Sequence, residues 1–136
     1  MDKTFEVKII TTEKVVFSGR AEALYARGIK GEFGILKDHA PFVSVLNTGV
    51  LKIVNENAEE FFAVIGGILK FENNVAVVLS EYAESGKDID ETEARMEKEK
   101  QEARKNAAKS IEEARNADKA LALALAKLKA ATAHKG

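Results

Sequence analysis

A sharp change in residue type near residue 87 limits the fold of this chain more than any other feature. All eleven valines, all seven phenylalanines and both tyrosines lie at or before Tyr82. From Asp88 onward, 13 of 49 residues are alanine, and most of the others are Glu, Lys, Arg or Leu. Aromatic and β-branched residues favour strands, whereas Ala, Leu, Glu, Lys and Arg favour helices. We therefore expect an α+β protein with a β-rich domain at residues 1–87 and a helical part at residues 88–136.

The first part repeats a pattern with a period of two. Phe5, Val7 and Ile9 alternate with polar residues, as in a strand that has one buried and one wet face. Similar short runs follow, separated by turns rich in Gly and Asn, and no helical pattern lies between them. Eight to ten short strands at near-regular spacing predict a sandwich or a barrel, and we expect an antiparallel β-sandwich. The later runs begin near Lys14, Ala21, Glu32, Phe42, Val50, Phe61, Ile68 and Val75, with Ser18-Gly19 interpreted as one of the turns.

Two capping patterns divide the second part into two helices. Asp90 and Ser110 each precede a glutamate by three positions, which is the arrangement of a capping box. They predict a first helix from about residue 90, a break at residues 106–109 and a second helix at about residues 111–131. The predicted product is a C-terminal two-helix hairpin.

This hairpin has little apolar surface to bury. Isolated helices are only marginally stable in water. The hairpin must therefore pack against the sandwich, pack against another protein, or switch between the two. The segment Phe61–Ile65 is apolar on both faces, which indicates a central strand or a strand whose outer face is covered. The second helix carries an a/d-like stripe, which we expect to pack on the first helix: Ile111, Ala114, Leu121, Leu125 and Leu128.

Charge and composition exclude several classes of protein. Residues 1–87 carry 10 basic and 12 acidic side chains, and residues 88–136 carry 11 and 10. A nucleic-acid-binding protein needs clustered Lys and Arg, but acids interrupt every basic run here. There is no cysteine for a disulfide framework. The N-terminal residues lack the apolar core of a signal peptide, and the longest apolar stretch, Phe61–Leu69, is too short for a membrane span. We expect a cytoplasmic protein that reaches a membrane only through a partner.

Three residues with catalytic potential occur in the Gly-rich segment Gly31–Pro41. Glu32, Asp38 and His39 could serve as acid, base or metal ligands in a small sandwich hydrolase or metal enzyme. No second histidine or cysteine completes a zinc set, and no nucleophile elbow or phosphate-binding loop occurs. The structural alternative makes His39 a loop residue that hydrogen-bonds the turn. A further possibility is a stand-alone adaptor whose hairpin joins an unrelated coiled coil.

Three strings together resemble the epsilon subunit of bacterial F-type ATP synthase: Gly31-Glu-Phe-Gly-Ile-Leu-Lys-Asp-His-Ala-Pro41, Gly49-Val-Leu51 and Gly66-Gly-Ile-Leu69. The order and spacing of the two parts match that family as well. The resemblance implies a non-catalytic subunit of the rotating central stalk, which couples the catalytic head to the ion-conducting ring in the membrane. It implies the gamma subunit, the c-ring loops and the catalytic alpha and beta subunits as partners, at the cytoplasmic face of a bacterial membrane.

The resemblance also implies roles for particular residues. Glu32 and His39 match family positions near the c-ring loops. In the family, the hairpin either folds against the sandwich or extends along gamma, where it approaches an acidic segment of beta and obstructs rotation in the hydrolysis direction. A hinge at Glu84–Lys87, which we call the joint, would allow that movement, and its small residues Ser85 and Gly86 make it most flexible there. The candidate basic residues for the contact with beta are Arg95, Lys98, Lys100, Arg104, Lys105 and Lys109.

Some bacterial relatives bind ATP on the folded hairpin through an I/L-D-x-x-R-A motif. This chain keeps Ile89 and Asp90 but has Glu93 where the motif has arginine. Glu84 matches a family position that contacts nucleotide, and Arg95 lies two residues beyond the motif position. Because an acid at Glu93 would repel phosphate, we expect no cofactor, and ATP at most as a weak regulatory ligand.

Overall fold

The computed structural model describes residues 2–136 and contains ten strands followed by two helices. The predicted fold class, a sandwich of eight to ten short strands with a C-terminal helical hairpin, is confirmed. The strands and helices are β1 Phe5–Ile10, β2 Val15–Ala21, β3 Ala23–Gly28, β4 Gly31–Leu36, β5 Phe42–Leu46, β6 Gly49–Asn55, β7 Ala58–Val64, β8 Gly67–Glu72, β9 Val75–Leu79, β10 Ala83–Ser85, α1 Glu91–Asn106 and α2 Ile111–Lys135.

The ten strands form one hydrogen-bonded sheet that bends over itself into a near-barrel sandwich. Its order is β10-β7-β6-β3-β5-β8-β9-β1-β2, with β4 paired to β3. The expectation of a purely antiparallel sandwich is wrong at one pair, because β1 and β9 run parallel, from Glu6 opposite Val75 to Ile10 opposite Leu79. These two strands are far apart in the sequence, so no tight turn forces them into opposite directions.

Inward-facing residues of both layers fill the space between them. Phe5, Val7 and Ile9 are fully buried, which confirms the alternation read from the sequence. Phe5 meets Phe71 edge to face, with ring centroids 5.4 Å apart. Burial of each such side chain contributes about 1.5–3 kcal/mol, so this core is the main source of the sandwich's stability.

Ser18-Gly19 is not a turn, contrary to the sequence interpretation. Both residues lie inside β2, opposite Lys8 and Val7 of β1. The ring of Phe17 packs over Gly19, where a Cβ atom would lie 3.0 Å from a ring carbon. The glycine therefore makes room for an aromatic ring within a strand. The short strand β10 was also absent from the prediction, and it forms by pairing with β7.

Both predicted helix starts are confirmed by their caps. The Asp90 carboxylate accepts a hydrogen bond from the backbone N–H of Glu93 at 3.0 Å, and the Ser110 hydroxyl accepts one from Glu113 at 3.1 Å. α2 continues to Lys135, a few residues beyond the predicted end. Across residues 2–136, neither helix combines the length and the apolarity that crossing a membrane requires.

α2 lies across the outer faces of β7 and β6 and packs through small residues. Ala126 and Ala130 form a buried cluster with Ala63 of β7, which we call the alanine seam. The outer face of β7 is thus covered, as one of the two interpretations of this strand expected. The predicted stripe is only partly buried: Ile111 is 74% and Leu125 is 44% exposed, whereas Ala114, Leu121 and Leu128 are half-buried. Small side chains let the helix approach the sheet closely.

Candidate interaction surfaces

The loop after β4 is tied to the β8–β9 turn by a reciprocal pair of hydrogen bonds. The backbone N–H of Asp38 donates to Asn74 Oδ1 at 2.7 Å, and Asn74 Nδ2 donates to Asp38 Oδ1 at 2.9 Å. Both residues are left-handed, with φ of 68° and 58°, a conformation that Asn and Asp tolerate better than most residues. The Asp38 carboxylate therefore has a structural partner and fixes the loop.

His39 also makes contacts that hold the loop. Its Nδ1 lies 2.7 Å from the carbonyl oxygen of Ala40. The edge of its ring meets Phe42 and Phe71, with centroids 5.6 and 5.9 Å away. These are the contacts that the structural interpretation of His39 expects.

Glu32 and His39 lie at opposite ends of β4. Glu32 is near its start, opposite Arg27 of β3, whereas His39 follows its end. The strand between Glu32 and Leu36 alone spans about 13 Å at the usual rise per residue. No group of three His, Asp or Glu side chains within residues 2–136 could hold a metal ion. The hydrolase or metal-enzyme hypothesis is thus left without an assembled site in the described chain.

Three adjacent strands carry an exposed line of apolar side chains, which we call the apolar row. Val45 of β5 is opposite Ile68 of β8, and Ile68 is opposite Leu79 of β9. These three residues are 49%, 47% and 52% exposed, and the neighbouring Val43 is 64% exposed. A contiguous exposed apolar row of this kind is a candidate surface for binding another protein. Sequence reasoning missed this row, although the β5 segment is apolar on both faces.

The predicted joint packs closely against α2. Gly86 begins a single 3₁₀ turn, Gly86–Asp88, and is buried. A Cβ atom on Gly86 would lie 2.3 Å from the carbonyl oxygen of Ala130, so only glycine fits without a shift of the helix or of the turn. The hydroxyl of the adjacent Ser85 is buried and has no hydrogen-bond partner within the described residues. A buried hydroxyl without a hydrogen bond costs about 1–3 kcal/mol of folding free energy, so the folded joint carries one unfavourable polar group.

Polar contacts near this joint connect the two helices with each other and with the end of the sandwich. The Glu91 carboxylate pairs with Lys135 at 2.9 Å and with Arg95 at 3.2 Å. The Lys135 ammonium, followed by the Arg95 guanidinium, lowers the pKa of Glu91 below its usual value. The Lys127 ammonium lies 5.0 Å from the centre of the Tyr82 ring. Burial raises the pKa of the Tyr82 hydroxyl well above its usual value, and the hydrogen bond that it donates to Glu84 raises it further.

Three of the four candidate nucleotide-binding residues meet in one cleft. Glu84, Ile89 and Asp90 line a cavity of about 450 Å³ between the joint and the two helices. Arg95 does not line it and pairs with Glu91 instead. The charged lining residues are five acids and one base: Glu84, Asp88, Asp90, Glu93, Glu97 and Lys127. This excess of negative charge opposes binding of a phosphate chain.

The six candidate basic residues lie along α1 and the turn after it, mostly exposed. Lys98 pairs with Glu102 at 3.7 Å, Lys105 pairs with Asp118 at 2.9 Å, and Arg104 donates to the side chain of Gln101 at 2.9 Å. Exposed ion pairs are worth about 0–1 kcal/mol, so these cations can change partners at little cost. The remaining candidates are Arg95, Lys100 and Lys109.

An exposed apolar row on the sandwich and a hairpin packed on the sheet through small residues suit a protein that works by binding other chains. Comparison with known proteins gives the family. A family model described as the beta-sandwich domain of the ATP synthase Delta/Epsilon chain matches residues 4–86. The chain belongs to this family.

Relatives named ATP synthase epsilon chain match both parts of the chain. The protein from Desulforamulus reducens is 39% identical over 133 residues, which cover 96% of this chain and 99% of that one. The protein from Chromohalobacter salexigens is 38% identical over 79% of this chain and 73% of its own. These relatives confirm the prediction of an epsilon chain that is not an enzyme in its own right.

Solved structures share the fold. A chain in the Euglena gracilis mitochondrial ATP synthase (OSCP/F1/c-ring) aligns with a TM-score of 0.82 and 18% identity, covering 97% of this chain and 83% of that chain. A chain from the Tetrahymena thermophila mitochondrial ATP synthase central stalk and c-ring aligns with a TM-score of 0.58 and 17% identity, covering 92% and 94%. At these identities the likeness concerns the fold.

Proposed function

We propose that this chain is the epsilon subunit of the central stalk of a bacterial ATP synthase, at the cytoplasmic face of the membrane. It links the catalytic head to the c-ring and inhibits ATP hydrolysis when its hairpin extends. The observation that carries the proposal is the alanine seam. The buried centre of the contact between α2 and the sheet consists of Ala63, Ala126 and Ala130, and the larger residues beside it, Val50, Phe61 and Ile89, are only partly buried, so the hairpin can be released at modest cost. The exposed Ile111 and Leu125 then provide apolar contacts for a second position.

The apolar row is the proposed docking surface for the gamma subunit. It lies on the layer of the sandwich that α2 does not cover, so gamma can bind there whether the hairpin is folded or extended. Ile68→Asp with Leu79→Asp places two carboxylates where apolar contact is needed. We expect at least about tenfold weaker binding to gamma in a pull-down titration. Leu36→Asp, at a leucine of β4 that is 58% exposed and lies away from β5, β8 and β9, is the control. Unchanged binding of the double variant would refute this docking surface.

For the c-ring, the structure favours Glu32 over His39 as the contact. The two residues lie at opposite ends of β4, and Glu32 is beside the β3–β4 turn, where Ile29 is 61% exposed. His39 is occupied by its own loop. In the assembled complex, a cysteine at position 32 should cross-link to a c-ring loop in higher yield than one at position 39. An equal or higher yield from position 39 would reverse the assignment.

Inhibition by the extended hairpin is proposed to draw on the cations of α1. Reversing Lys98, Lys100 and Lys109 to Glu should weaken inhibition of ATP hydrolysis by the reconstituted complex, most clearly at low salt where screening is least. Reversing Lys3, Lys8 and Lys14, which are exposed residues of the sandwich, is the matched control. Equal inhibition by the hairpin variant and the wild type at low salt would exclude this role.

We propose that the acidic cleft at the joint does not retain ATP. Titration of the full chain with MgATP should show no saturation at physiological concentrations. Glu93→Arg replaces one of the five lining acids with a base, so it should strengthen binding. Saturable binding by the wild-type chain would overturn the proposal.

A further inference from the structure

A second cleft lies where the free side of α2 meets the outer face of the sheet, and we call it the side cleft. Its floor is a row of paired residues across four strands, Gly34, Tyr25, Lys52 and Phe61 on β4, β3, β6 and β7. Lys129 and Ala133 of α2 line it as well, and its volume is about 490 Å³. That volume lies in the range of about 300–1,000 Å³ that is typical of small-molecule sites.

The aromatic floor of this cleft is held in place. A Cβ atom on Gly34 would lie 2.7 Å from the ring of Tyr25, so the absence of a side chain lets that ring lie against β4. Tyr25 is still 45% exposed, and its free surface faces the cleft. The Lys52 ammonium lies 5.6 Å from the Tyr25 ring centre and 5.9 Å from that of Phe61. The floor is thus apolar, flat and bordered by a cation.

The charged residues of the side cleft are three cations and one acid. They are Arg27, Lys52, Lys129 and Glu32. Lys52 pairs with Glu59 at 2.7 Å. Over the part of the chain that the structure describes, neither Arg27 nor Lys129 forms an ion pair. Glu32 lies opposite Arg27 on the neighbouring strand but does not pair with it, so the side cleft carries more cations than acids, in contrast to the acidic cleft at the joint.

We propose that the side cleft binds a small organic anion that carries a planar apolar ring. The ring would stack on Tyr25 and Phe61, and the anionic group would accept hydrogen bonds from Arg27 and Lys129. Charge-assisted bonds of this kind, in a partly enclosed site, provide both affinity and orientation.

Binding here would favour the folded hairpin. α2 supplies Lys129 and Ala133, so the cleft is complete only while the helix lies on the sheet. A ligand that binds one arrangement only shifts the equilibrium toward it, by about tenfold when its concentration is about ten times its dissociation constant. This regulatory consequence rests on the proposed function, whereas the binding itself does not.

The test is a calorimetric titration of the full chain with naphthalene-2-sulfonate, compared with the neutral 2-naphthalenemethanol. We expect saturable 1:1 binding of the sulfonate and at least about tenfold weaker binding of the alcohol. Arg27→Glu with Lys129→Glu should weaken sulfonate binding at least tenfold. Lys8→Glu with Lys119→Glu makes the same charge change at exposed positions outside the cleft and should have little effect.

A second variant tests the contribution of α2. Gly86→Leu places a large side chain against the Ala130 carbonyl group and leaves Arg27 unchanged. We expect α2 to move away from the sheet in this variant, so that most sulfonate binding is also lost. Circular dichroism checks that the sheet remains folded. The proposal is overturned if the wild-type chain does not saturate at millimolar sulfonate, if both probes bind equally, or if the cleft variant binds like the control. Because the isolated chain is used, these outcomes are independent of whether it assembles with gamma.

Discussion

Gly86 is the residue at which the joint comes closest to α2. Gly86→Ala adds one methyl group 2.3 Å from the Ala130 carbonyl oxygen, so either the helix or the 3₁₀ turn must move. We expect a loss of about 1–3 kcal/mol in the free energy of unfolding, measured by urea denaturation. Gly49→Ala is the matched control, since nothing lies within 4 Å of its added Cβ atom. Equal stability of the two variants would show that the contact does not limit the position of the helix.

Asn74 holds the His39 loop through its side chain. Asn74→Gly keeps the left-handed backbone accessible and removes both hydrogen bonds to Asp38. The expected cost is about 1–2 kcal/mol of unfolding free energy, with faster amide hydrogen exchange confined to the two loops. If exchange in the loop does not change, the pair is not what orders it.

The ion pair between Glu91 of α1 and Lys135 of α2 makes the stability of the hairpin depend on pH. The pKa of Glu91 is lowered in the folded chain by Lys135 and then Arg95, so its contribution to stability is present above the unfolded pKa of about 4.3. That contribution is lost as the pH falls through the lower folded value. We expect Glu91→Gln to remove this part of the acid sensitivity, measured as the difference in melting temperature between pH 7 and pH 3. The same pH dependence in both proteins would contradict this.

At the scale of elements, the contact between α2 and the sheet depends on small side chains. Ala126→Leu overpacks the alanine seam and should cost about 1–3 kcal/mol, seen as earlier protease cleavage in the hairpin. Ala103→Leu makes the same change at an exposed position of α1 and should have little effect. Similar cleavage rates for both variants would mean that the seam does not hold the helix.

The strands and helix caps were predictable because their signals are local. The alternation at Phe5, Val7 and Ile9 and the caps at Asp90 and Ser110 each involve residues a few positions apart. The parallel β1–β9 pair and strand β10 depend on partners distant in sequence, which no local pattern contains. The leucine stripe was only partly right for a related reason, since which helix positions are buried depends on a packing partner that lies far away in the sequence.

For the whole molecule, the resemblance located the family, but geometry decided which candidate residues can act together. Glu84, Ile89 and Asp90 share a cleft that Arg95 does not line, and Glu32 is far from His39. The apolar row and the side cleft combine residues from three or more elements, so neither is visible as a sequence motif. Together they place one interaction surface on each layer of the sandwich, with the hairpin over one layer and the other left free.

The account depends on the hairpin being released from the sheet when ATP hydrolysis is inhibited. The chain has no cysteine, so Asn57→Cys and His134→Cys, in one cleft between the β6–β7 turn and the end of α2, can be joined by a short bismaleimide. We predict that a reconstituted complex with the cross-linked chain hydrolyses ATP faster than one with the same chain left unlinked or with either single cysteine. Equal rates would contradict the release of the hairpin as the inhibitory step.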